Sequence, residues 1–207
     1  MSSDDVSTKP ARSGTRWLRF GITMLATGVA AVALVGLTAE GVLAASFSIS
    51  GTPFTVTSTQ LQGTGFEQFA ALDNMPDNSP NAGDTGGQIV VVVSAIKNAT
   101  LTNLCQSISL GGTNLKITAG DAGTPVSATT LVVDSDQISG NASFTNISIG
   151  QDSSTLTEVP GVTGPLGVFG QQADTVTITN LRQNKFATTA ALFNLPNLHI
   201  SFSDTGC

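Results

Sequence analysis

From Ala45 to its last residue, the chain is built of short runs in which apolar and polar residues alternate, separated by turn-forming residues. A side-chain period of two marks strands with one buried face, and it leaves little room for helices. Phe47 and Ile49 share one strand face. Gly51-Thr52-Pro53 then intervenes, and Phe54 and Val56 resume in the opposite phase. Residues 89–93, Ile-Val-Val-Val-Val, form an unbroken β-branched run, which predicts a central strand covered on both faces. Further strands are expected over 98–110, 113–119, 128–134, 141–149, 174–181 and 197–203. Only 59–72 and 185–195 have room for short helices, and neither carries a convincing cap. The expected fold class is all-β: a curved, bulged antiparallel sheet or a two-sheet sandwich, preceded by an N-terminal hydrophobic helix.

One local pattern recurs and bears on how such a sheet curves. Leu101-Thr102-Asn103-Leu104, Phe144-Thr145-Asn146-Ile147 and Ile178-Thr179-Asn180-Leu181 share the form apolar-Thr-Asn-apolar. Leu192-Phe193-Asn194-Leu195 and Leu195-Pro196-Asn197-Leu198 are looser versions. Apolar residues three apart break strict alternation. An Asn in the left-handed conformation, at a bulge or corner, restores the inward register. The copies are irregularly spaced, which argues against a solenoid. Two stretches read as loops: 73–87, dense in Asn, Asp, Pro and Gly, and 151–170, which is more apolar.

The first 44 residues differ from the rest. Lys9, Arg12, Arg16 and Arg19 precede an uncharged run from Phe20 to Ala39, and Val42-Leu43-Ala44 follows with small residues where a signal peptidase reads them. This is the pattern of an export signal, with cleavage expected after Ala44. Retention of residues 17–39 as a single-pass membrane anchor is the alternative, since the uncharged run is long enough to span a bilayer. Either way the basic end stays inside and residues 45–207 form one extracytoplasmic β-rich domain.

With the leader set aside, four basic residues (Lys97, Lys116, Arg182 and Lys185) face eleven acidic ones. That balance argues against nucleic acid and anionic membrane surfaces, both of which need basic patches. The chain has no Tyr, and its one Trp, Trp17, lies in the leader. Stacking of sugars on an aromatic platform is therefore disfavoured. Cys105 and Cys207 are the only cysteines, and both fall in the exported part, where an even pair reads as a disulfide. A free buried Cys105 and an intermolecular bridge through Cys207 are the competing readings.

Several segments along the chain carry a resemblance. Leu104-Cys105-Gln106-Ser107, Phe144-Thr145-Asn146-Ile147, Phe169-Gly170-Gln171-Gln172-Ala173-Asp174 and Ala187-Thr188-Thr189-Ala190 follow the leader in this order. Together they resemble a family of small exported actinobacterial proteins of unknown function, some members of which carry an automatic label of cholesterol esterase. The resemblance implies an extracytoplasmic protein and supplies no catalytic residues to carry over.

An esterase needs an activated nucleophile, a base and an oxyanion hole, and no G-x-S-x-G elbow occurs. The sole histidine, His199, is expected to share the solvent face of a strand with Ser201 and Ser203, beside Asp204. Asp84-Thr85-Gly86 and Asp204-Thr205-Gly206 echo the aspartic-protease loops, but neither has the apolar residues that usually precede them, so ordinary turn chemistry is preferred. Asp73, Asp77 and Asp84 in one polar loop, and the pair Asp134 and Asp136, could hold calcium, though solvated turns are the favoured reading. No phosphate loop is present. The expectation is therefore no catalytic, cofactor-binding or metal residues. The leading function is a non-catalytic structural or interaction protein of the cell envelope. A carrier of an apolar, lipid-like ligand on the concave face of the sheet is the alternative, and an esterase is the weakest reading.

Overall fold

The computed structural model of the protein describes residues 48–207. The expected N-terminal hydrophobic helix, the processing site after Ala44 and the tether over 17–39 lie outside the described residues. Alternation does give an all-β chain, but with fewer and longer strands than the runs suggest. They are β1 (Phe54–Asn74), β2 (Gln88–Thr102), β3 (Leu104–Ser109), β4 (Asn114–Ala119), β5 (Val126–Thr145), β6 (Ser148–Asp152), β7 (Phe169–Thr189), β8 (Leu192–Asn194) and β9 (His199–Ser203). Both segments with room for helices, 59–72 and 185–195, belong largely to strands.

All nine strands form one antiparallel sheet in the order β6-β7-β5-β2-β1-β3-β4-β9, with β8 added to β5. Pairing of β7 with β1 closes part of it into a ring of β1, β2, β5 and β7. The curved, bulged sheet is thus realised, and it closes on itself instead of stacking as a sandwich. Walking round the ring from Phe54 leads to Lys185, Ser135, Val92 and back to β1 at Ala70, sixteen residues further along. So large a stagger tilts the strands steeply across the barrel axis. It explains why the four ring strands run 15 to 21 residues, where about five or six is usual.

Long strands keep an inward face only if they can change phase. Asn103, Asn146, Asn180 and Asn197 all have positive φ, between 50° and 54°. At Asn103 and Asn180 the flanking residues, Leu101 with Leu104 and Ile178 with Leu181, all pack on the inner core. Asn146 instead turns the chain from β5 into β6, leaving Ile147 exposed, and Asn197 precedes β9. Asn194 does not adopt the left-handed conformation. Thr130 and Gly65, both with positive φ, switch phase in β5 and β1 without the Asn signature. Runs 128–134 and 141–149 were expected as separate strands. The first and most of the second join in β5 through register shifts at Ser135 and after Ser139.

The ring has two covered faces. Its inner face carries Leu61, Phe66, Ile96, Leu101, Leu131, Val176 and Leu181. On the outer face Phe69, Val91, Val93, Ala95 and Val132 lie under Leu156, Val159 and Val162 of a strap, residues 153–168, that joins β6 to β7. Ser153 closes the strap: its N–H donates to Val168 O and its hydroxyl to Pro165 O. The run 89–93 is therefore not covered on both sides. Val91 and Val93 are buried among the outer cluster that the strap covers, whereas Val90 and Val92, on the other face, are 69% and 36% exposed.

Strands β3, β4 and β9 form a wing that continues β1 beyond the ring. Gln183, Val56, Gln106, Ile117 and Ile200 are paired in turn across β7, β1, β3, β4 and β9. Directly paired residues share a sheet face. The inward face of the ring thus runs unbroken onto the wing, where Ile200 and Phe202 stand exposed.

Candidate ligand cavity

The inward side chains of the ring pack as one core but leave a cavity of about 250 Å³, lined by fourteen residues, ten of them apolar. Leu61, Phe66 and Gln68 come from β1, and Ser94, Ile96 and Leu101 from β2. Leu131, Val133, Ile138, Ala142 and Phe144 come from β5, and Ile178, Gln183 and Lys185 from β7. Phe66 and Phe144, on strands that do not pair, bring their ring centroids within 5.2 Å. Ala142 is solvent-exposed, so the cavity reaches the surface there. An open groove of about 470 Å³ between ring and wing is lined by Phe54, Gln106, Phe186, Phe193 and small residues of β7 and its C-terminal end.

The polar lining is not scattered. Gln68 Nε2 donates to Ser94 Oγ at 2.8 Å, and Gln171 Nε2 donates to Gln68 Oε1 at 2.6 Å. Ser94 pairs with Val133, and Ser135, two residues on, pairs with Lys185, so Lys185 lies on the neighbouring row. The Lys185 side chain is 4% exposed. Burial pushes its ammonium from the ordinary 10.5 down to about 7, opposed only in part by the Asp134 charge. Among the described residues, Lys185 Nζ has no hydrogen-bonding partner.

Two other buried acids lie outside this lining. Asp134 is raised to about 7, first by burial and then by the charge of Asp73, with Lys185 opposing. Burial raises Asp73 too. Glu67 is 0% exposed and lies under the strap, where its Oε1 accepts the Val159 N–H at 2.7 Å. Burial raises Glu67 to about 7 against the lowering effect of the Val159 and Glu158 amides. The strap also passes so close to β1 that a Cβ on Gly65 would meet Glu158 O at 2.6 Å.

Comparison with known proteins gives one result. The sequence signature of a family of unknown function (DUF6230) matches residues 50–207, more than half of the chain. The chain belongs to that family. Neither a curated protein nor a solved structure matches it. The span shared with the DUF6230 family contains every strand of the ring and wing, all fourteen cavity residues and both cysteines.

The residues singled out from the sequence fall elsewhere. Cys105 and Cys207 are bonded, 102 residues apart, with Cα atoms 5.8 Å apart. The bond is consistent with a location outside the cytoplasm. Among the described residues no helix is long and apolar enough to cross a membrane. His199, Ser201 and Ser203 do share one face of β9, and His199 is exposed, but further along that face Ser201 and Ser203 are half-buried while Phe202 on the other face is 71% exposed. The C-terminal tail causes this reversal. It folds onto the polar face, bonded to Cys105 and with Cys207 N–H donating to Ser107 Oγ at 2.9 Å. Asp84 sits in a 3-10 turn, Gly83–Thr85, and Asp204 lies in the tail. The pair Asp134 and Asp136 is split by the bulge at Ser135. Asp134 is buried, and exposed Asp136 accepts from Asn184 Nδ2. Among the described residues no three His, Cys, Asp or Glu side chains gather as a metal site.

Proposed function

We propose that the protein is an exported, non-catalytic binder or carrier of a small apolar ligand, held in the ring cavity. The observation that carries this reading is the cavity itself. Protein interiors normally pack to the density of organic crystals, and here ten apolar side chains line about 250 Å³ that they do not fill. Most small-molecule sites are concave and largely apolar, with a few placed polar groups. The cavity reaches the surface at the exposed Ala142, which offers a path for entry. Export is supported by the leader and by the disulfide.

A second reading, an envelope protein acting through a surface, is favoured by the exposed Ile200 and Phe202 of the wing. The esterase reading has only His199 as a base, at an edge strand with no nucleophile elbow nearby. Calorimetric titration of the exported protein with 1-octanol separates the first two. Binding by the native protein that is lost in Ala142→Phe, which fills the cavity from its exposed rim, is the expected result. No binding, or binding unaffected by Ala142→Phe, removes the cavity reading.

A further inference from the structure

We infer that the ligand of this cavity is an aliphatic monocarboxylate, its head held by Lys185 and Gln183 and its tail by the apolar lining. The inference rests on the apolar-ligand reading and adds the chemistry of the head. Four cations are found among the described residues, and three serve elsewhere. Lys97 is exposed, Lys116 lies on the wing and Arg182 donates to Cys207 O. Lys185 alone lines the cavity, 96% buried, with no hydrogen-bonding partner among the described residues.

A lysine withdrawn from water and left unpaired is costly. An ammonium lining a largely apolar cavity is therefore poised for a counter-charge that enters with the ligand. Gln183, on the same strand face two residues before it, is buried and adds a neutral amide donor. One positive charge and one amide match a carboxylate, which is singly charged. A phosphate monoester carries up to two charges and three acceptor oxygens, for which the arginines and backbone amides of a phosphate site are missing here. Asp134 offsets the Lys185 charge only in part: it sits one residue before Ser135, on the opposite face of β5, its own carboxyl is raised by burial and by Asp73, and no hydrogen bond joins it to Lys185 among the described residues.

The tail is bounded by volume. At the roughly 30 Å³ that a water-sized group occupies, 250 Å³ takes about eight non-hydrogen atoms, a short to medium chain.

The test compares octanoate with methyl octanoate, which differ mainly in the charge of the head, by titration of the exported protein. Octanoate is expected to bind about tenfold to a hundredfold more tightly than the ester, as a charge-assisted hydrogen bond to a largely buried lysine requires. In Lys185→Met that preference disappears, while the ester binds as before and thereby reports an intact cavity. Should Lys185→Met not fold, the acid-to-ester ratio in the native protein decides alone. Equal binding of acid and ester, or a preference that survives Lys185→Met, overturns the carboxylate inference and leaves the apolar-ligand reading standing. Binding of neither compound overturns both. Tighter binding of octyl phosphate than of octanoate also overturns the choice of head.

Discussion

The ring and the wing are cut from one sheet and share β1, yet they treat the same inward face in opposite ways. In the ring, β1 is paired on both sides over Gln60–Phe69, and no edge is left open along that stretch. The inward face then encloses a cavity. In the wing the sheet stays open: β9 pairs only with β4, and Ile200 and Phe202 on the continuation of that face are exposed to solvent. The wing is secured by covalent and tail contacts, through Cys105–Cys207, Cys207 N–H to Ser107 Oγ and Arg182 Nη1–H to Cys207 O. Backbone closure makes a container, and a staple on an open sheet makes a surface.

If that contrast holds, removing the staple should act on one region first. Replacing Cys105 and Cys207 by Ser opens a loop of 102 residues. The chain-entropy model puts the loss at about 4–5 kcal/mol. Hydrogen exchange should show β4 and β9 losing protection while β1 and β7 within the ring retain theirs. Simultaneous loss in both regions would break the comparison, because it would make ring and wing a single cooperative unit.

The next effect separates the two sides of the ring wall. Glu67 and Asp134 titrate near 7 in the fold, above their ordinary 4.5 and 3.8, so the folded chain holds their protons more tightly. Their stabilising contribution is complete below those ordinary values and is lost as pH rises through about 7. Lys185 is displaced downward, from 10.5 to about 7, so its contribution is complete above 10.5 and is lost as pH falls through about 7. These groups together produce a stability minimum near neutrality. Urea midpoints across the pH range should show it. Glu67→Gln should flatten the acid limb by about 3 kcal/mol, since burial raises this carboxyl from 4.5 to about 7. Lys185→Met should flatten the alkaline limb and, by removing the charge that opposes the Asp134 shift, steepen the acid limb slightly. A monotonic profile, or one variant flattening both limbs, would show that the inner and outer groups titrate as one system.

How far the sequence disclosed this architecture depends on the residue. The bulge asparagines were legible because Asn is one of the few side chains that tolerates positive φ, and three-residue apolar spacing marks where a phase must change. Thr130 and Gly65 make the same switch without an apolar-Thr-Asn-apolar frame, so β5 reads as two strands and 59–72 of β1 as room for a short helix. Ring closure was hidden because the β7–β1 pairing joins residues more than a hundred apart in sequence. The disulfide followed from compartment and count. Lys185 was missed although the signal existed: carried through the Asn180 phase change, Ile178 and Leu181 put Gln183 and Lys185 on the inward face. A lysine read without that shift belongs to a solvated turn or a helix start. Glu67 had no comparable signal, since its burial depends on a strap ninety residues downstream.

The smallest predicted effect bears most directly on the boundary between the regions. Asn103, with φ 52°, stands where β2 of the ring becomes β3 of the wing, whereas Asn180, with φ 54°, lies inside the ring. An alanine in the left-handed conformation costs about 1 kcal/mol more than asparagine or glycine, because its Cβ crowds the backbone. Asn103→Ala and Asn180→Ala should therefore each lower stability by about that amount, and the corresponding Gly variants should be near neutral. The location of the effect differs. Asn103 N–H donates to Gly120 O and its Nδ2 to Thr59 Oγ1, so Asn103→Ala should raise exchange in β3 and β4. Asn180→Ala should instead weaken octanol binding, because the phase it sets aims Leu181, Gln183 and Lys185 inward. Equal effects of both variants on octanol binding would mean that the register of the wing also shapes the cavity.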